Sequence, residues 1–301
     1  MLASSAGFAD LEQFSLLAIG NVTLHRGQAL DLVDLMSVYG SSFSVQGGDL
    51  IADLHEEALQ IALATEAEAA IDRFVRQLTT YEELSTTGSD PLWTAVTGYY
   101  AAFFVSNALL LACGRGFVRV DTSQITGAQQ GGLHRVRLAQ GATLGHLELR
   151  LTPMGKEGSH KATWKGVREL LADRATTVGN GTREAQVFAS LAALIVAPIW
   201  LSQERNDINY EFKRNPFQAG LWPRELSHLA DAEAIEDRIL ASISPRPEQR
   251  FELVMAGCAS LLASLFHRFL VRGGKIDPQR RRRRTTAMLS CEHLTWLVDY
   301  R

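Results

Sequence analysis

The stretch GYYAAFFVSNALLLACG, Gly98–Gly114, decides the fold. Its aromatic and aliphatic residues cover nearly every face of a helix, and Ser106 and Asn107 are its polar interruptions. A helix that is apolar all round belongs at the centre of other helices or in a bilayer. A bilayer span needs about 18–20 uninterrupted apolar residues, and this run falls short. Val187–Leu201 (VFASLAALIVAPIWL) also falls short and carries Pro198. Both are expected to be buried bundle helices, with no membrane partner. Just upstream, Ser85–Pro91 (STTGSDP) has helix-start chemistry: Ser89 or Asp90 suits a cap and Pro91 the first turn. Gly114 is a natural terminator.

Working outward, Leu30–Tyr39 has helical spacing, and Asp49–Tyr81 reads as one long amphipathic helix. In it Leu50, Leu54, Ala58, Ile61, Ala62 and Ala69 keep the three-four rhythm, with Glu56, Glu57, Glu66 and Glu68 as a solvated stripe. Between Phe117 and Leu151 the texture changes to alternation (FVRVD, LHRVRLA, TLGHLELRL) punctuated by glycines, which predicts two or three short antiparallel strands. Lys156–His160 (KEGSH) is expected to be a loop before a helix at Ala162–Leu171. Arg183–Tyr210 reads as one helix kinked at Pro198, followed by helices at Glu225–Ser242, Pro247–Arg272 and within Arg284–Tyr300. The fold class is therefore mainly α, a helical bundle with a small antiparallel β insertion at about 117–152. The expected division is an N-terminal helical region, 1–88, and a bundle, 89–301.

Composition supports this reading. The chain has 301 residues, 46% hydrophobic and 21% charged, which excludes a disordered chain, a coiled-coil rod or a fibre. Cys113, Cys258 and Cys291 are too few for a disulfide framework and make no CxxC pair, so they are expected to be reduced core residues of a cytoplasmic protein. The opening MLASSAGFADLEQF lacks the basic start and apolar run of a signal peptide. There is no Walker A loop, strand-to-helix GxGxxG, HExxH or GxSxG elbow. The eight histidines (His25, His55, His134, His146, His160, His228, His267, His293) are scattered, so neither a metal site nor a cofactor is expected.

One segment concentrates chemistry. In Ser202–Phe212 (SQERNDINYEF) an apolar helix runs into Glu204, Arg205, Asn206, Asp207, Asn209, Tyr210 and Glu211. Arg205 and Asn209 share one helix face, Asn206 and Tyr210 the next. An arginine so placed can hold a phosphate by paired hydrogen bonds, while asparagine orients it and tyrosine donates a proton or stacks on a base. The ordinary alternative is a helix end laced by ion pairs among Glu204, Arg205 and Asp207. A second basic feature is the run Arg280, Arg281, Arg282, Arg283 and Arg284, a dense candidate RNA-binding patch whose contacts would be salt-sensitive, with a solvated loop as its alternative. Arg115, Arg119, Arg135 and Arg137 add positive charge on the strands. Because the net charge is -3, any nucleic-acid binding must be local.

GYYAAFFVSNALLLACGRGF resembles the second helix of the HEPN superfamily (higher eukaryotes and prokaryotes nucleotide-binding), with its paired aromatics, small residues and leucine run before a glycine. A later helix of that family carries an arginine, often followed by asparagine, and then a histidine. Arg205–Asn206 match its start, and Tyr210 stands where the family has histidine. No histidine of this chain follows an arginine at the family's distance; Arg224 and His228 come nearest. The resemblance covers two helical segments, and it implies a compact helical bundle that forms a homodimer with paired motifs across a cleft. It further implies metal-independent RNA cleavage in a prokaryotic defence or toxin system, with an antitoxin or defence-complex partner. In that chemistry the RNA 2′-hydroxyl attacks the adjacent phosphate, arginine stabilises the charge and histidine moves the proton. By position Arg205 would hold the phosphate, Asn206 orient it and Tyr210 stand at the acid/base place. With a reference pKa near 10, tyrosine is a poor base at neutral pH. His160, just before Trp164, is the candidate to supply the imidazole, its alternative being an exposed loop histidine. Without a competent proton carrier, such a fold would serve as a binding or dimerisation module or a nucleotide sensor.

Overall fold

In the computed structural model, the described residues are 31–87, 91–121, 123, 125, 131–179, 181–197, 199–209, 232–242 and 247–271. Helix α1, Leu32–Tyr39, starts at a capping box in which Asp31 accepts from the Asp34 amide at 2.8 Å. A hairpin follows: β1 is Ser44–Gln46 and β2 is Asp49–His55, joined by Gly47 and Gly48 at φ 61 and 92. A two-residue turn with positive φ at both positions is the hairpin connection that matches strand twist. Helix α2, Glu56–Thr87, and α3, Pro91–Ala112, then pack along one another.

Gly114, at φ 67, ends α3 and turns the chain into a meander of β3, Arg115–Val120, β4, Gly132–Gln140, and β5, His146–Pro153. β2 pairs with β5, Leu54 opposite Leu147, so the hairpin completes an antiparallel sheet in the order β1-β2-β5-β4-β3. Helix α4, Ser159–Val178, and α5, Arg183–Val196, form a second hairpin, and Thr182 caps α5. The remaining described helices are α6, Leu201–Asn209, α7, Ala232–Ala241, and α8, Pro247–Val271.

The mainly helical class and the small antiparallel sheet stand as expected. Three local expectations do not. Asp49–His55 is strand rather than the start of a helix: its alternating residues face the core once the Gly47–Gly48 turn fixes the register. That shift moves the buried face of α2 to Leu59, Ala62, Leu63, Ala67, Ala70, Ile71, Phe74, Val75, Leu78 and Tyr81, and leaves Ala69 exposed. Of the four stripe glutamates, Glu57 is exposed and the others are half-buried. Ser159 and His160 form the first turn of α4 instead of a loop, because Gly158, extended at φ -74 and ψ 148, supplies the turn into the helix. Arg183–Tyr210 is not one kinked helix: α5 ends at Val196 and α6 starts anew at Leu201. Pro198, Ser89, Asp90, Cys291 and the segments 225–231 and 284–300 lie outside the described residues.

α3 is the hub, packed by α2, α4, α6 and α8. Ala101, Ala102, Val105, Ala108, Leu109 and Leu110 are fully buried, and Ser106 donates to Cys258 of α8 at 3.3 Å. Contrary to the expectation from sequence, Leu92–Ala112 is long and apolar enough to cross a membrane, as is 183–208 counted across the α5–α6 break; 78% of the first apolar window is buried inside the fold and 47% of the second. Cys113 and Cys258 are free and buried, and burial pushes their thiols up to about 12 and about 11, so neither is a nucleophile near neutrality.

The break between α5 and α6 is held by Arg250 of α8, which is wholly buried. Its Nε and Nη2 donate to the Leu194 carbonyl at 2.9 and 2.8 Å, Nη2 donates to the Ile199 carbonyl at 2.7 Å, and Nη1 pairs with Glu204. The guanidinium thus satisfies carbonyls that the end of α5 and the connection would otherwise leave in an apolar interior. Removing the partner of a buried charge costs about 3–5 kcal/mol. Arg250→Met is therefore expected to lower stability by that order in chemical denaturation, and adding Glu204→Met should restore part of the loss.

Candidate functional site

The site forms where α3, α4 and α6 meet. On α3 the YYAAFF run sets Tyr99 and Phe103 one helical turn apart, with Tyr100 and Phe104 beside them. On α4 the same spacing sets His160 below Trp164. On α6, Glu204 turns to Arg250 of α8, and its neighbour Arg205 points to α3. The Arg205 guanidinium carbon lies 5.5 Å from the centroid of Tyr99 and 5.5 Å from that of Tyr100. Both distances are cation–π contacts. Arg205 Nη1 also donates to Asn206 Oδ1 at 2.9 Å.

Tyr99 ties the three helices together. Its ring is fully buried, 5.4 Å from Phe251 and 5.9 Å from Trp164. Trp164 Nε1 donates to its hydroxyl at 3.0 Å, and that hydroxyl is 2.9 Å from His160 Nδ1. The His160 ring stacks on Phe103 at 4.3 Å and stands edge-on to Tyr100 at 5.8 Å. Arg205 is 9% exposed; around it His160, Tyr100, Phe103 and Phe104 are half-buried and Asn206 is exposed.

The donors around the Tyr99 hydroxyl favour one histidine tautomer. Indole N–H is donor only, and so is guanidinium. With Trp164 donating to the Tyr99 oxygen and Arg205 beside it, the phenolic hydrogen has His160 Nδ1 as its acceptor. Neutral His160 therefore carries its hydrogen on Nε2. Burial, and then the positive charge of Arg205, push its pKa down to about 4. Burial raises the Tyr99 hydroxyl well above its ordinary value, against smaller opposing effects of Trp164 and Arg205. Near neutral pH the corner holds one positive charge, a neutral N–H donor and a wall of rings. It can accept an anionic group and stack a flat one.

Of the candidate residues read from sequence, Arg205, Asn206 and His160 come together here. Tyr210 and Arg280–Arg284 lie outside the described residues. The strand arginines are elsewhere: Arg115 pairs with Asp173 at 3.1 Å, and Arg135 and Arg137 reach Glu169 at 3.1 and 3.5 Å. Those carboxylates lie well beyond His160 along α4, about 14 and 20 Å at 1.5 Å rise per residue. Arg119 is exposed at the sheet edge. Among the described residues no three His, Cys, Asp or Glu side chains gather as metal ligands.

Sequence reasoning used YYAAFF as a packing pattern and as a family resemblance, and missed Tyr99 as the link between His160 and Arg205. The His160–Trp164 spacing held that signal, since both residues share a helix face only if the helix starts before His160. Comparison of the chain with known protein families, with curated proteins and with solved structures finds no match.

A histidine that folding keeps neutral makes stability pH-dependent. With a folded pKa of about 4 against the ordinary 6.5 of histidine, the unfolded chain binds the proton first as pH falls. Stability from this group is thus present above about pH 6.5 and lost toward pH 4. Thermal unfolding followed by circular dichroism is expected to show a falling midpoint across that window, and His160→Gln should flatten the fall.

Proposed function

We propose that this chain is an HEPN-like, RNA-directed protein that grips RNA at the Arg205 corner and does not itself cleave it. The observation that carries this reading is the Arg205 guanidinium set against the Tyr99 and Tyr100 rings, beside half-exposed Phe103 and Phe104. Single-stranded nucleic acid is bound by this pairing of charge for phosphate with aromatic faces for bases. Asn206 and the His160 Nε2–H supply hydrogen bonds beside Arg205. A defence or toxin setting, with a second copy of the chain or an antitoxin as partner, goes with the same reading.

The choice of binding over cleavage rests on His160. Attack by a 2′-hydroxyl needs a group that takes up a proton and returns it near neutral pH. His160 turns its acceptor nitrogen inward to Tyr99, and its pKa of about 4 leaves almost no imidazolium to act as an acid. The reference pKa of tyrosine makes Tyr210 no better as a base.

The test is titration of a labelled single-stranded RNA by fluorescence anisotropy, with a gel assay for cleavage in chelator. Wild type is expected to bind and to leave the RNA intact. A hydrogen bond to a charged group contributes about 1.5–3 kcal/mol, so Arg205→Gln should weaken binding roughly 10- to 150-fold. Arg205→Lys should fall between, because it keeps charge but loses the planar fork. Thermal midpoints show whether the variants are folded, and Asn206→Ala, on an exposed side chain, gives a smaller loss without that concern. Cleavage that disappears with Arg205→Gln would replace this reading with the catalytic one; no binding by wild type would remove both.

A further inference from the structure

Beyond the corner, α3 continues as a row of rings toward a second cation. Trp93, Tyr100, Phe104 and Asn107 follow one another at seven, four and three residues, the spacing of one helix face. Trp93 is 57% exposed, and the other three are half-buried. Tyr100 and Phe104 stack at 6.2 Å with 27° between their planes. Over Phe104 lies Arg73 of α2, its guanidinium carbon 5.9 Å from the ring centroid. Arg73 is exposed and, among the described residues, forms no ion pair. Its charge is felt by Glu66, two turns back on α2, whose pKa burial raises and Arg73 slightly lowers.

Arg205, Tyr100, Phe104 and Arg73 therefore stand in series, joined by contacts of 5.5, 6.2 and 5.9 Å. We propose that this series is a track for single-stranded RNA, in which Arg205 and Arg73 hold successive parts of the backbone and the half-buried rings of Tyr100 and Phe104 meet the bases along the helix face. The inference rests on the RNA-binding reading of Arg205 and adds Arg73 and Phe104, which that reading does not need. Two cations at the ends of an aromatic surface give a strand a backbone contact on each side of the bases it lays there, and contact with aromatic rings tolerates any base. A track of this kind binds by backbone charge, so its affinity falls with salt, by about 0.7 in log–log slope for each phosphate held on a single strand.

The test uses a labelled oligouridine of about ten nucleotides and the full chain, with anisotropy read across a salt series. Arg73→Gln, on an exposed side chain, is expected to weaken binding about tenfold at low salt and to lower the slope by about 0.7. Phe104→Leu keeps apolar bulk but removes the aromatic face, and should weaken binding about tenfold at unchanged slope. Phe104→Tyr should restore it, which a packing role alone does not explain. If wild type binds and Arg205→Gln weakens binding as expected above, while Arg73→Gln and Phe104→Leu match wild type in affinity and slope, the corner stands and the track is overturned. No binding by wild type, or binding independent of Arg205, overturns the corner and the track together. Displacement of the RNA by a polyglutamate peptide of equal charge, unaffected by Phe104→Leu, also overturns the track, in favour of an acidic protein partner.

Discussion

A single guanidinium, that of Arg250, holds the architecture on which the candidate site depends. It sits in the interior with the Leu194 and Ile199 carbonyls and Glu204 as acceptors. A chain that leaves a helix inside a core carries polar groups that water cannot reach. Arg250 meets them from another helix, so the α5–α6 break can be buried. The contact also fixes the rotation of α6. With Glu204 turned to α8, Arg205 lies about 100° further round the helix and faces the Tyr99 and Tyr100 rings.

α3 sets the other half of the geometry. A helix buried on nearly all sides touches many neighbours at once, so its aromatic residues touch several helices. Tyr99 meets Phe251 of α8, Trp164 and His160 of α4, and Arg205 of α6. Its hydroxyl takes a hydrogen from the indole and gives one to the imidazole, which satisfies a buried polar group on both counts. The same arrangement that makes the packing unique also decides which nitrogen His160 presents outward. Packing and protonation state are here one constraint.

The fold was legible where pattern is local. The Gly98–Gly114 helix, its glycine stop, the 247–271 helix and the meander all carry their signal within a few residues. Asp49–His55 was not, because a short apolar run fits strand or helix equally and the Gly47–Gly48 turn decides between them. Arg205 drew notice from the polarity of its segment, and that segment also suggested a pair with Glu204. The partner that Glu204 finds is 46 residues away, and the hydroxyl that faces His160 is 61 away. Such pairings depend on tertiary approach and leave no periodicity. The strand arginines illustrate the converse: their alternation placed them on a sheet, but only the approach of α4 brought Glu169 and Asp173 to them.

Three arginines mark three uses of one side chain. Arg250 is wholly buried among carbonyls and a carboxylate, and a further anion has no room there. Arg73 is exposed on α2, its charge over a ring and otherwise in water. Arg205 lies between, nearly buried on two rings, where lower dielectric strengthens whatever charge it meets. Burial alone would read Arg205 as structural, and sequence alone left a phosphate-holding residue or an ion-paired helix end open. Where the Arg250 guanidinium meets backbone carbonyls and a carboxylate, that of Arg205 meets two rings, the Asn206 amide oxygen and the Tyr99 hydroxyl. Beside it stands an imidazole held neutral. A positive edge, a neutral donor and flat faces are what the proposal of holding a phosphate rests on.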